Sequence, residues 1–124
     1  MLDPIKASQM PDFFPDYLPK LVIGRAVRHK RYGYYGLIVD FDMRCQAPDD
    51  YYSQSGGLPS KDQPWYHVLV QRNASNIYVP QEIIEEVSIT DDIIHPLLQV
   101  FFDPVPDRNG HYIRNDEHWP GWNG

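Results

Sequence analysis

The chain has 124 residues, 42% of them apolar and 14% aromatic, with a net charge of −6; this is room for one domain with one core. No apolar run approaches the roughly 20 residues of a membrane-spanning helix. The lone Cys45 cannot staple the fold internally, so a reducing cytoplasm is the expected setting.

Residues 1–20 read as an irregular arm. Pro4, Pro11, Pro15 and Pro19 recur too often for a helix, while Phe13, Phe14, Tyr17 and Leu18 are sticky enough to dock on the body. This acidic, proline-studded start lacks the basic-then-apolar pattern of a secretory signal. Residues 21–30 look like a first strand, with Val27 and His29 on one parity and Arg28 and Lys30 on the other. Arg31-Tyr32-Gly33 reads as a hairpin turn in which Gly33 is free to take positive φ. Residues 34–41 return as a second strand, where Gly36 marks a bulge or a close backbone approach.

Residues 42–64 form a long polar loop, with one helical turn expected over 49–54; loops of this length are functional or partly mobile. Residues 65–71 are the clearest strand. Trp65, His67 and Leu69 face one side and Tyr66, Val68 and Val70 the other, and two apolar faces place it centrally in a small barrel. Residues 77–79 form a short strand and 80–87 a last turn or strand. A short helix is expected from about Pro96, ended by Pro104 and Pro106, followed by a polar tail tipped by Tyr112, Trp119 and Trp122. The organisation is thus an arm (1–20), a barrel (21–87) and a C-terminal extension (88–124). The expected core is Val27, Ile38, Val39, Trp65, Val68, Leu69 and Val70. The extension should pack on the barrel, because Phe101, Phe102, Tyr112, Trp119 and Trp122 offer too much apolar surface to leave in water.

Three blocks carry a resemblance. The first is Gly24-Arg25-Ala26-Val27-Arg28-His29-Lys30-Arg31-Tyr32-Gly33-Tyr34 with Gly36, Ile38, Asp40, Asp42 and Cys45 following. The second is Gln63-Pro64-Trp65-Tyr66-His67-Val68-Leu69-Val70, and the third Tyr78-Val79 with Glu82 and Ile84. In this order, with a loop between the first two, they resemble the YccV-like, or hemimethylated DNA-binding, domain family, of which the bacterial heat-shock protein HspQ is a stand-alone member. His95-Pro96, Phe101-Phe102 and residues 111–115 resemble, more loosely, a segment trailing the same domain in an F-box relative. The resemblance implies a small, strongly bent, five-stranded β-barrel, SH3-like in size, in agreement with the strands read above. It also implies either association with hemimethylated DNA or a role in protein turnover, and it carries no catalytic triad or cofactor.

The residues themselves give no enzyme. His29 and His67 each lie in a motif strand and could face each other across the barrel, with Asp40, Asp42 or Cys45 nearby, but no CxxC or HxxxH spacing supports a metal site, and a hydrogen-bonded structural role is expected. Cys45 reads as a small buried hydrophobe rather than a nucleophile. Asp40 and Asp42 share a face and are expected to bond loop amides or to pair with Arg28 or Lys30. No cofactor or metal is expected.

The most informative feature is charge distribution. Lys20, Arg25, Arg28, Lys30 and Arg31 fall within residues 20–39 with no acid among them, whereas residues 82–124 hold nine acids against Arg108 and Arg114. Cations interleaved with Tyr can grip phosphates, stack on bases or hold exposed peptide; the plain alternative is the solvated face of an edge strand. The candidate recognition residues are Arg28, His29, Lys30, Arg31, Tyr32 and Tyr34, with Tyr66 open to core or contact. The acid-rich C-terminal third would be repelled by a phosphate backbone. A protein partner, in an adaptor of protein turnover, is therefore preferred to DNA. The HspQ resemblance adds self-association as an option, with no stoichiometry.

Overall fold

The structure, a computed structural model, describes residues 18–48 and 60–121. The arm through residue 17, the helical turn expected over 49–54, and Trp122 lie outside the described residues. Among the described residues five strands form one antiparallel sheet: β1 (Ala26–His29), β2 (Tyr35–Asp42), β3 (Trp65–Val70), β4 (Asn76–Pro80) and β5 (Ile84–Glu86), with a 3-10 turn at Gln81–Ile83 and a single-turn helix α1 at Leu98–Phe101. The order is β4-β3-β2-β1-β5. No β4–β5 ladder joins the edges, so the expected barrel is an open sheet. The reason is local: β5 has three residues, and β4 runs straight into the 3-10 turn, which diverts its edge before it can pair.

The first strand begins five residues later than its composition suggests. Gly24 takes φ 93°, which breaks the extended run, and its bare Cα admits the carbonyl of Tyr112, against which any Cβ would collide. The hairpin turn is as expected, with Gly33 at φ 80°. Gly36 is a close approach: a Cβ there would lie 2.6 Å from the Leu69 carbonyl oxygen on β3. The bulge falls three residues further on, where the β2–β3 register slips between Ile38 and Asp40.

All seven expected core residues are buried. On the inner face Val27, Ile38, Tyr66, Val68, Val79 and Ile84 form one cluster, roofed by Leu21 and Ile23 from the entering chain. On the outer face Leu37, Val39 and Leu69 are covered by Ile93, Phe101, Phe102 and Trp119. These residues of the extension supply the second layer that an open sheet needs. The Trp119 indole N–H is buried without an acceptor among the described residues, so its anchoring rests on ring contacts with Phe101 and His67. A third cluster, Cys45, Ala47 and Trp65 against Tyr78, closes the base of the long loop. No helix among the described residues is long and apolar enough to cross a membrane.

Candidate recognition surface

The β1–β2 hairpin is braced from within by His29. The ring Nδ1 accepts the backbone N–H of Arg31 (3.1 Å) and of Tyr32 (3.0 Å), two donors that the tight turn leaves without strand partners. Accepting at Nδ1 assigns the proton of the neutral ring to Nε2. The ring also clusters with two tyrosines, Tyr32 stacked at 4.7 Å and Tyr34 tilted at 4.9 Å, themselves 6.2 Å apart. Burial, reinforced by Arg31, holds the His29 pKa below its usual value, which favours the neutral form that the two bonds require. The Tyr34 phenol is raised by burial and by Tyr32. His29 is thus the frame of the tip, and it is only 6% exposed. Tyr32, at 67%, is the most exposed ring of the stack.

Parity places Arg28 on the opposite face from His29. Arg28 Nη1 meets Glu85 Oε2 at 2.9 Å, and Arg25 Nη1 meets Glu86 Oε2 at 3.0 Å. Both acids lie on β5, whose register sets Glu85 opposite Arg28. Half-exposed pairs of this kind add little stability, but they cancel two of the five positive charges in the stretch. Lys30 and Arg31 remain exposed, with no ion pair among the described residues.

Tyr66 does not belong to this surface. It is fully buried in the inner cluster, and its hydroxyl donates to Gln81 Oε1 at 2.5 Å while accepting the Leu21 N–H at 3.3 Å. Gln81 in turn accepts the Lys20 N–H (2.7 Å) and donates to the Leu18 carbonyl (3.1 Å). Tyr66 is therefore the inner post that ties down the entering chain, and burial raises its phenol pKa.

The two histidines do not face each other. His29 shares the inner face with Val27, whereas His67 lies on the outer face with Leu69, stacked on Tyr78 (4.5 Å) and against Trp119. Asp42 Oδ2 accepts from His67 Nε2 (3.1 Å) and from Tyr78 Oη (2.7 Å). Asp42 thus has a structural role, with His67 and Tyr78 as partners in place of the expected Arg28 or Lys30. Burial lowers the His67 pKa against the opposing pull of Asp42; burial and the bond to Asp42 push the Tyr78 phenol far up. The pair is a hydrogen bond to a neutral ring. The buried Cys45 thiol is pushed up by desolvation, away from the thiolate a nucleophile needs. Among the described residues no group of three or more His, Cys, Asp or Glu is placed to hold a metal ion.

Three residues to which the sequence reading gave no structural role have one. His95 donates from Nε2 to the Ser75 carbonyl and accepts the Leu97 N–H; Gln81 fastens the entering chain; Arg114 holds the extension. Arg114 carried a signal, as one of only two cations in the acidic 82–124 region.

A five-stranded antiparallel sheet with a braced cationic hairpin defines a small, mainly β domain. The chain belongs to the YccV-like family: the family model described as "Hemimethylated DNA-binding protein YccV like" matches residues 19–109, taking in the five strands and the first part of the extension. The chain is also similar to F-box only protein 21 of Mus musculus, Pongo abelii and Homo sapiens, at 34% identity over 98 residues. The match covers 77% of this chain and 15% of each relative, so the chain spans only a small part of those proteins' length.

Proposed function

We propose that this chain is a non-enzymatic binding module that holds a partner protein at the tip of the β1–β2 hairpin, as an adaptor in protein turnover. The observation that carries this reading is the neutralisation of Arg25 and Arg28 by Glu86 and Glu85, which leaves Lys30 and Arg31 beside the exposed Tyr32. Affinity for a duplex grows with the number of phosphates neutralised, and the two free cations of the hairpin tip, on a chain of net charge −6, supply little of it. The same groups suit a protein: cations bind carboxylates, and a tyrosine held by its neighbours adds apolar area at low entropic cost. That the domain forms a small part of longer F-box relatives supports its use as a module. The setting proposed is the reducing cytoplasm, where a lone buried thiol stays reduced.

The family's description favours a second reading, in which the hairpin tracks hemimethylated DNA. Affinity capture with the purified chain, at low and moderate salt and with and without nuclease, separates the two. The adaptor reading expects captured protein that survives nuclease and moderate salt and is lost in the Lys30, Arg31 and Tyr32 triple variant. Tight binding of a hemimethylated duplex at physiological salt, with discrimination against unmethylated DNA, would replace it with the DNA reading.

A further inference from the structure

We infer that the recognition surface continues from the hairpin tip onto the β3–β4 turn, where Arg72 supplies a third free cation, and that its ligand is a short, extended, acidic segment of a protein. This rests on the protein-binding role proposed above and specifies the chemistry of the partner.

Because β2 pairs with both β1 and β3, the β1–β2 hairpin and the β3–β4 turn emerge at the same end of the sheet. Tyr35 joins them. It lies opposite Arg28 on one side, and on the other its carbonyl accepts the Gln71 N–H at 2.8 Å; the residue is 42% exposed. Arg72 follows, exposed, with φ 58°, the one non-glycine residue among those described in the left-handed region. Neighbouring structure holds it there. The Arg72 N–H donates to the Ile94 carbonyl at 2.9 Å. Gln71 accepts the Ile94 N–H (2.7 Å) and donates to the Asp92 carbonyl (2.9 Å), and His95 fastens Ser75 at 2.8 Å. An uncommon backbone conformation fixed by so many bonds sets the point and direction from which the side chain leaves the backbone.

Lys30, Arg31 and Arg72 form no ion pair among the described residues. Exposed Glu82, Asp91 and Asp92 lie on segments that adjoin them: Ile83 accepts the Lys30 N–H, and the Asp92 carbonyl meets Gln71. The cations therefore make a short island with acidic borders. A duplex, with a charge every ~1.7 Å of its axis, would press further phosphates against those borders, whereas a short segment ends within the island. The span also fits peptide. From β1 to β3 is two strand spacings, roughly 10 Å, or about three residues of extended chain. Carboxylates about three residues apart can thus meet the tip and Arg72 together, with an apolar side chain between them over Tyr32 or Tyr35.

The test is fluorescence anisotropy at physiological salt with the full chain and a labelled peptide bearing two Asp pairs flanking a Leu, without Lys or Arg. Saturable binding is expected, weakened roughly tenfold by Arg72→Glu and by Lys30→Glu with Arg31→Glu, and by several fold in Arg72→Gly. Glycine favours the observed φ, so a loss in that variant with an unchanged melting temperature is not a folding defect. A peptide with Asp replaced by Ser that binds equally well overturns the inference, as does displacement of the acidic peptide by duplex DNA at that salt. Should the hairpin variant lose binding while Arg72→Glu does not, the tip reading stands and its extension to Arg72 falls. Should both variants bind as wild type, both fall.

Discussion

The Arg114 guanidinium donates from Nε to the carbonyl of Val39 at 2.9 Å, across 75 residues of sequence. Val39 is the residue around which the β2–β3 register slips, and a bulge leaves a backbone group without a ladder partner. Arg114 fills that vacancy from the other layer. Its Nη1 also reaches the carbonyls of Asn115 (3.0 Å) and Glu117 (2.8 Å), and the group lies 5.1 Å from the centre of the Phe101 ring. One side chain thus completes the sheet and pins the layer that covers it.

Replacing Arg114 by Ala should therefore cost about 2–3 kcal/mol, the range for charged hydrogen bonds with a buried carbonyl left behind. Arg114→Lys should recover little, because an ammonium cannot reproduce the fork. Chemical denaturation measures the loss. Hydrogen exchange should show the Asn115 and Asp103 amides, bonded to Phe101 and Ile113, losing protection before the β2–β3 ladder does.

Stability should fall as the solution is acidified below neutrality. The folded-state pKa values of His29 and His67 are both lowered, chiefly by burial, so as pH drops the unfolded chain takes up protons first. Their contribution is complete above the unfolded value of about 6.5 and is lost as pH falls through the lowered folded values. Urea midpoints between pH 8 and pH 5 (about the range where only histidines titrate) should decline. His29→Asn, whose Oδ1 can accept in place of Nδ1, should flatten the decline.

Tyr66→Phe should lose about 1–2 kcal/mol, leaving the Leu21 N–H unpaired and Gln81 short of one donor. Partner binding by the folded variant should be unchanged, because the ring lies inside the core. A clear drop in affinity with a native spectrum would return Tyr66 to the recognition surface.

Val68→Asp should prevent folding. Val68 is 2% exposed and faces an apolar cluster with no cation, so an unpaired carboxylate there outweighs a total stability of ~5–15 kcal/mol. Circular dichroism and a melting curve decide it; a cooperative transition near that of wild type would refute the buried, interior position of β3.

What the sequence determined by itself is what depends on near neighbours. Alternation along 65–70 marked a strand buried on both faces, Gly33 marked the turn, and parity separated Arg28 from His29, because side-chain direction in a strand repeats every two residues. The same blocks were enough to recognise the family. Only tertiary structure decided which groups meet across long separations. Parity showed that Tyr66 faced one side of β3, but only packing showed that side sealed. The basic stretch was plain in the chain, yet its free charge depended on β5, some 57–61 residues away, bringing Glu85 and Glu86 to Arg28 and Arg25. The open sheet and the Arg114–Val39 bond follow likewise from register and layer packing. No local pattern encodes these, because strand pairing satisfies backbone groups irrespective of the side chains that separate them in sequence.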